Sequence, residues 1–157
     1  NNTISFGTHN SWVGLDGGDD DVHITSDERV KENITNSTAG LSFINDLTTR
    51  TFSYKKRKDL PTNFQAYVAD GEDFAEDHYN NKSTTQLGFI AQEVKTVIDN
   101  HSEIPDGFTM WGKTVIEDVG DEQHVAKGAL IPILTKAIQE LSAKNDALEA
   151  RIATLEG

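Results

Sequence analysis

The C-terminal end of the chain carries an apolar repeat that constrains its fold more than any other feature. From Ala129 onward, apolar residues recur at alternating gaps of three and four, with Asn145 in the one polar slot. This spacing predicts a coiled-coil helix over residues 128–157, with Pro132 tolerated in its first turn. The predicted a and d positions alternate as Ile131, Leu134, Ile138, Leu141, Asn145, Leu148, Ile152 and Leu155.

A seam this narrow is typical of a helix that pairs with copies of itself. Lys144 at position g can reach Glu149 at position e of a neighbouring helix, and Arg151 has the same relation to Glu156. These charges favour a parallel, in-register assembly, in which Asn145 fixes the register by meeting its own copies. Ile at a with Leu at d favours two strands by rule, but the rest of a chain can override so short a stretch. The alternative is one amphipathic helix packed on its own domain.

Composition indicates one domain with a modest core, because 36% of the 157 residues are hydrophobic. This hydrophobic share is below the average of globular proteins, which hints that part of the burial is shared between chains. A formal net charge of −12 argues against nucleic acid and anionic lipid as partners. We expect no nucleic-acid or membrane partner, and no stretch has the length and apolarity of a membrane span. The missing initiator Met and signal peptide lead us to expect a fragment of a longer chain.

Metal and cofactor sites are not indicated either. The chain has no cysteine, and the aspartate-rich run 16–21 lacks the ligand spacing of an EF-hand, so we interpret it as a solvated turn. No two histidines are spaced as a helical metal-binding pair. The histidines are His9, His23, His78, His101 and His124. We therefore predict no metal and no cofactor.

The remainder of the sequence predicts short mixed elements, which places the chain in the α+β class. Residues 1–25 indicate short strands with glycine turns, and Ser26 indicates a helix start with its hydroxyl as N-cap. A helix is expected around residues 41–47, a strand at 51–54 and a helix ending near Asn100.

Between these elements, residues 59–86 predict a long polar excursion with a short strand at 64–68. Two further short strands are expected within 108–119, of which 114–116 is the clearer. Phe108 and Trp111 are interpreted as anchors of a core or an interface. The basic cluster 55–58 is expected to meet an acidic patch, either residues 70–77 or an upstream segment.

Three segments together resemble one family, the C-terminal intramolecular chaperone domains of phage endosialidase tail spikes and related tail fibres. The first is SDERVK at 26–31 and the second is LGFIAQEV at 87–94. The third is ALIPIL at 129–134 with KAIQEL at 136–141. The resemblance runs from Ser26 to Gly157 and is weakest over residues 59–86.

The resemblance implies an intertwined homotrimer with a C-terminal parallel coiled coil. Residues 1–25 would be the β-rich end of a mature fibre, and residues 26–157 the chaperone domain. Such a domain helps the upstream fibre of the same chain to fold and then releases itself by cutting between Thr25 and Ser26. Folding would take place in the cytoplasm of the bacterial host. The mature fibre would then join the virion tail.

The family uses a serine–lysine dyad, and Ser26 and Lys31 match its two positions. A serine hydroxyl is a weak nucleophile without a base, and a lysine acts as a base only when neutral, which burial or a nearby positive charge favours. Arg29 is a candidate for that charge, Asp27 for orienting the site, and Glu93 for a further role at the cleavage site.

Several alternatives stay open at this level. Two residues five positions apart do not share a face of a helix, so a loop or tight turn can hold the dyad instead. Alternatively, the lysine can come from another chain. Glu93 and Gln92 are otherwise expected to cap a helix and contact the trimer. His23, close to the cut, is a weaker candidate for assistance. A trimerisation domain that never cuts is the competing function, and a receptor-binding tip around Trp12 is a third.

Overall fold

The computed structural model describes residues 26–116 and 120–157, except for the side chains of 115, 116 and 120. The chain divides into two compact units, one ending at Asn36 and one spanning Ser37–Gly157. In the described part of the first unit, the only regular element is a 3₁₀ turn at Glu28–Val30. The fibre end predicted for residues 1–25 lies outside the described residues.

The described residues of the second unit form three α-helices and four short strands, besides short 3₁₀ turns. In chain order they are α1 (Leu41–Asp46), β1 (Arg50–Phe52), β2 (Gln86–Gly88), α2 (Ala91–Asn100), β3 (Trp111–Ile116), β4 (Gly120–Val125) and α3 (Ile131–Glu156). Strand β1 pairs antiparallel with β2, with Thr51 opposite Leu87, and β3 pairs antiparallel with β4, with Trp111 opposite Val125. Helices and short antiparallel strands in one unit agree with the α+β class.

The core of this unit forms where the three helices and the β3–β4 hairpin meet. Phe43 of α1 and Met110 are fully buried, and Val94 of α2 is almost so. Phe108 packs edge-on against Phe43, with ring centroids 5.9 Å apart. Trp111 is half-buried against the same cluster. The prediction that Phe108 and Trp111 are anchors rather than ligand platforms is therefore confirmed for the core.

Helix α3 has two apolar faces. Ile133 and Ala137, one turn apart, are buried, and α3 packs against α1. The predicted seam is a separate, exposed stripe, in which Ile138 is 65% and Leu155 is 84% exposed. The face with Ile133 and Ala137 thus packs on its own domain, which was the alternative considered from the sequence. The predicted seam has no partner among the described residues.

One strand prediction is wrong, and a second is confirmed only for the clearer of its two strands. Residues 64–68 form turns rather than a strand, because Phe64 and Tyr67 donate backbone hydrogen bonds to Pro61 and Phe64, which keeps the chain compact. Of the two short strands predicted within 108–119, the clearer one, 114–116, is confirmed as part of β3, whose antiparallel partner β4 (Gly120–Val125) lies beyond that range. Strand β4 has the polar sequence GDEQHV, so it has no apolar alternation for sequence reasoning to detect.

The long excursion 59–86 contacts the basic cluster 55–58 through ion pairs and backbone hydrogen bonds. Lys56 bonds the Glu76 carboxylate, and Lys58 bonds both Glu76 and Asp70. The backbone N–H of Arg57 also donates to the Asp77 carbonyl, at 2.8 Å. Of the two acidic partners expected for the basic cluster, the structure pairs it with residues 70–77.

Candidate functional site

The candidate site begins with a single tight turn at Ser26. The backbone N–H of Val30 donates to the Asp27 carbonyl at 3.2 Å, and that of Lys31 donates to the Glu28 carbonyl at 3.0 Å. At Lys31 the backbone returns to an extended conformation, with φ −120° and ψ 151°. The turn therefore ends after one repeat, and no longer helix follows Ser26.

Asp27, not Ser26, is the N-cap of this turn. The Asp27 Oδ1 accepts a hydrogen bond from the Arg29 backbone N–H, at 2.8 Å. The prediction that the Ser26 hydroxyl caps a helix is wrong, because the carboxylate one residue later already binds the free amide. This leaves the Ser26 hydroxyl available for another contact.

That contact is with Lys31. The Lys31 ammonium Nζ donates a hydrogen bond to Ser26 Oγ, at 2.6 Å across five residues of sequence. Within the single chain, a tight turn rather than a longer helix brings these two side chains together. Both side chains are exposed to solvent in the single chain. The two atoms lie close enough for direct proton transfer.

The possible assisting residue Arg29 is engaged by Asp27. Its guanidinium donates to both carboxylate oxygens, with Nε–Oδ1 at 2.9 Å and Nη2–Oδ2 at 2.6 Å. This hydrogen bond holds the pKa of Asp27 below its usual value and raises that of Arg29. The positive charge expected to favour a neutral lysine is thus offset by its carboxylate partner.

Glu93 makes a different contact in the second unit. Its carboxylate accepts two hydrogen bonds from Arg50 of β1, at 2.9 and 3.1 Å, and this pairing lowers the pKa of Glu93. Glu93 thereby ties α2 to the β1–β2 sheet. The expectation that Gln92 and Glu93 cap α2 is wrong, because Ile90 occupies the cap position without a side-chain hydrogen bond.

Three sequence candidates fall outside the described residues: Thr25 of the expected cut, His23 and Trp12. Within residues 26–116 and 120–157, no three His, Asp or Glu side chains are grouped to hold a metal ion. The helices of the described part include none long and apolar enough to cross a membrane.

Sequence reasoning missed the buried histidine His101. Its ring is packed edge-on against Phe43 and hydrogen bonds two carboxylates, Glu103 Oε1 at 2.6 Å and Asp46 Oδ2 at 2.8 Å. These carboxylates, Glu103 foremost, raise the pKa of His101. The nearby Glu103 was the only available signal, because Asp46 lies on another helix and is brought close only by the fold.

Comparison with known proteins defines the class. Residues 26–103 match the model of a peptidase family described as chaperone of endosialidase. The match begins at Ser26, the residue that contacts Lys31, and ends at Glu103, before β3. No curated protein matches the chain.

Over residues 26–103 the chain belongs to this chaperone-of-endosialidase family, which confirms the resemblance carried by the first two segments; the third, at 129–141, lies outside the match. The family's description indicates a chaperone role, and its class indicates a self-cleaving peptidase.

Proposed function

We propose that this chain is an intramolecular chaperone that trimerises, assists the folding of an upstream phage tail fibre or spike, and then cuts itself between Thr25 and Ser26. The observation that carries the proposal is the 2.6 Å contact between Lys31 Nζ and Ser26 Oγ, at the residue where the family match begins. The chaperone would act in the host cytoplasm, and the released fibre would enter the virion tail.

The proposed reaction uses Ser26 as nucleophile and Lys31 as base. A neutral Lys31 amine takes the Ser26 hydroxyl proton while Oγ attacks the Thr25 carbonyl carbon. The bond from that carbon to the Ser26 nitrogen then breaks, and the nitrogen receives the proton from Lys31. The resulting ester between Thr25 and Oγ is hydrolysed by water, which leaves a Thr25 carboxylate and a free Ser26 hydroxyl. Attack by Ser26 of a neighbouring chain is the competing route.

Assembly supplies what the single chain lacks. Ser26 and Lys31 are exposed, and a solvated ammonium is no base, whereas burial favours the neutral amine. Packing of neighbouring chains over the turn would exclude water from it. In this proposal cleavage is therefore gated by trimerisation, so that cutting follows folding.

The exposed stripe of α3 supports self-association. Leu134, Leu141 and Leu148 are between 41% and 55% exposed, although they follow a strict repeat. Burying each such side chain in a bundle contributes about 1–2 kcal/mol. The predicted pairs of Lys144 with Glu149 and of Arg151 with Glu156 would orient the three helices in parallel.

The test is cleavage in matched variants, followed on denaturing gels after expression of the full chain. We expect Ser26→Ala to remain full-length, with its association state unchanged. Lys31→Arg should also remain uncut, because arginine keeps the charge and the donor but cannot act as a base. Ser83→Ala removes an exposed hydroxyl in the long excursion and should cut normally.

Normal cutting of Ser26→Ala would refute the nucleophile assignment. An uncut wild-type chain that still assembles would instead support the trimerisation domain that never cuts.

A further inference from the structure

The dyad requires a sharp reversal of the backbone. Five residues of extended chain span roughly 16 Å, yet Lys31 Nζ lies 2.6 Å from Ser26 Oγ. The reversal is the Glu28–Val30 turn, which is closed by two backbone hydrogen bonds of 3.0 and 3.2 Å. A single 3₁₀ turn is marginal on its own, because it fixes several dihedral angles for few hydrogen bonds. Some additional contact must hold it.

We propose that Asp27 is the positioning residue of the self-cleavage site, its carboxylate capping the turn that holds Lys31 against Ser26. This inference rests on the proposed function. Asp27 has the extended N-cap conformation, with φ −67° and ψ 133°, and its Oδ1 binds the Arg29 amide at 2.8 Å. Asp27 does not touch the reacting atoms in this account; it acts through the turn.

The cap matters more than the ion pair with Arg29. The Arg29 side chain is 88% exposed, and exposed ion pairs contribute little to stability. A capping oxygen, by contrast, satisfies an amide that has no other partner in the turn. The Arg29 guanidinium therefore keeps the Asp27 carboxylate in the capping rotamer, and the carboxylate in turn stabilises the turn through the Arg29 backbone N–H.

A direct electrostatic role for Asp27 makes the opposite prediction. A carboxylate near Lys31 favours the charged ammonium, which opposes the base. If charge were what Asp27 contributes, its removal would change the rate of cleavage whether or not the cap is kept. Asparagine separates the two effects, because it caps as well as aspartate and carries no charge.

The experiment compares rates of cleavage of the full chain in Asp27→Ala and Asp27→Asn. Asp27→Ala is expected to cut roughly fivefold more slowly, the factor that loss of an N-cap produces. Asp27→Asn is expected to restore cutting to within about twofold of the wild type. Glu28→Gln is the matched control, because it removes an exposed charge from the same turn. The Glu28 side chain bonds no described residue, so this variant should cut normally.

Sedimentation and thermal melting of each variant separate positioning from folding, and both should match the wild type in Asp27→Ala. Wild-type cutting by Asp27→Ala would overturn the inference while leaving the dyad intact. Equal slowing by alanine and asparagine would overturn it too, because asparagine keeps the cap, and equal acceleration by both would overturn it in favour of a role for charge. A wild-type chain that never cuts would refute the proposed function itself, which is a different result.

Discussion

Glu140 of α3 accepts a hydrogen bond from the backbone N–H of Leu41, the first residue of α1, at 2.9 Å. The two residues are 99 positions apart. The carboxylate serves as the N-cap that α1 lacks locally, because Gly40 has no side chain to provide one. The contact fixes α1 to the part of α3 that lies against the domain.

Removal of this carboxylate should loosen the contact between α1 and α3. We expect Glu140→Ala to lower the free energy of unfolding by about 1–2 kcal/mol, because a charge-assisted bond to a helix amide is lost. Glu140→Gln should cost less, since it keeps an acceptor oxygen. Urea unfolding followed by circular dichroism, at one chain concentration, measures both. Asp146→Ala on the exposed part of α3 is the control and should have little effect.

Gly40 should be coupled to the same carboxylate. A Cβ at position 40 would lie 2.7 Å from Glu140 Oε1 and would push the carboxylate off the Leu41 amide. Gly40→Ala is therefore expected to destabilise by about 1 kcal/mol in the wild type and much less in Glu140→Ala. A double-mutant cycle of unfolding free energies tests this, and additive effects would contradict it.

His101 should make stability depend on pH. Its pKa is raised above 6.5 by Glu103 and Asp46, so the folded state binds the proton more tightly than the unfolded chain. The stabilisation is full below the unfolded pKa of about 6.5 and is lost as pH rises through the higher folded pKa. The urea concentration at the midpoint of unfolding should therefore decrease as the pH is raised from 6 into the alkaline range.

Two variants identify the group responsible for this fall. Asp46→Asn should weaken the change with pH and cost about 1 kcal/mol near pH 6, because the imidazolium loses one carboxylate. His101→Gln should make the alkaline fall much smaller. An unchanged fall in His101→Gln would show that another group titrates.

Glu76 should titrate far below a normal glutamate. Hydrogen bonds from Lys56 and Lys58 lower its pKa to about 2, so the contact between Glu76 and the basic cluster persists well into acid. The folded pKa lies below the unfolded one, so any stabilisation is present above about pH 4.5 and is lost as pH falls toward the folded value. Carboxyl NMR shifts measure the midpoint directly. Lys58→Met should raise it, and a normal midpoint in the wild type would contradict the geometry.

Asn145 should determine the specificity of the proposed bundle rather than its strength. In the single chain its Nδ2 donates to Glu149 Oε1, at 2.7 Å, and in a bundle it would occupy an a position among apolar layers. Asn145→Ile is expected to raise the melting temperature while allowing additional association states. Sedimentation equilibrium measures those states. A variant that forms one state and melts below the wild type would contradict this role.

The sequence predicted the parts of the fold that have strong local signals. The helices α2 and α3 follow from apolar spacing, and the 26–31 motif brought Ser26 and Lys31 into consideration before any geometry was known. Their separation of five residues argued against a pair on one face of a helix. In the structure a turn at Glu28–Val30 brings the two side chains into contact instead.

The missed features depend on contacts that are distant in sequence. Strand β4 is polar and exists by pairing with β3, and Asp46 reaches His101 from another helix. The second apolar face of α3, with Ile133 and Ala137, was hidden behind the more regular seam. The N-cap was assigned one residue early, since Ser26 and Asp27 are both good capping residues and only geometry separates them.

Native mass spectrometry of the folded chain is the decisive experiment for trimerisation and self-cleavage, because one spectrum reports both the number of subunits and the covalent mass of each. We expect a complex of three subunits, each with the mass of residues 26–157. A folded single chain that keeps the full mass of residues 1–157 after prolonged incubation would contradict it.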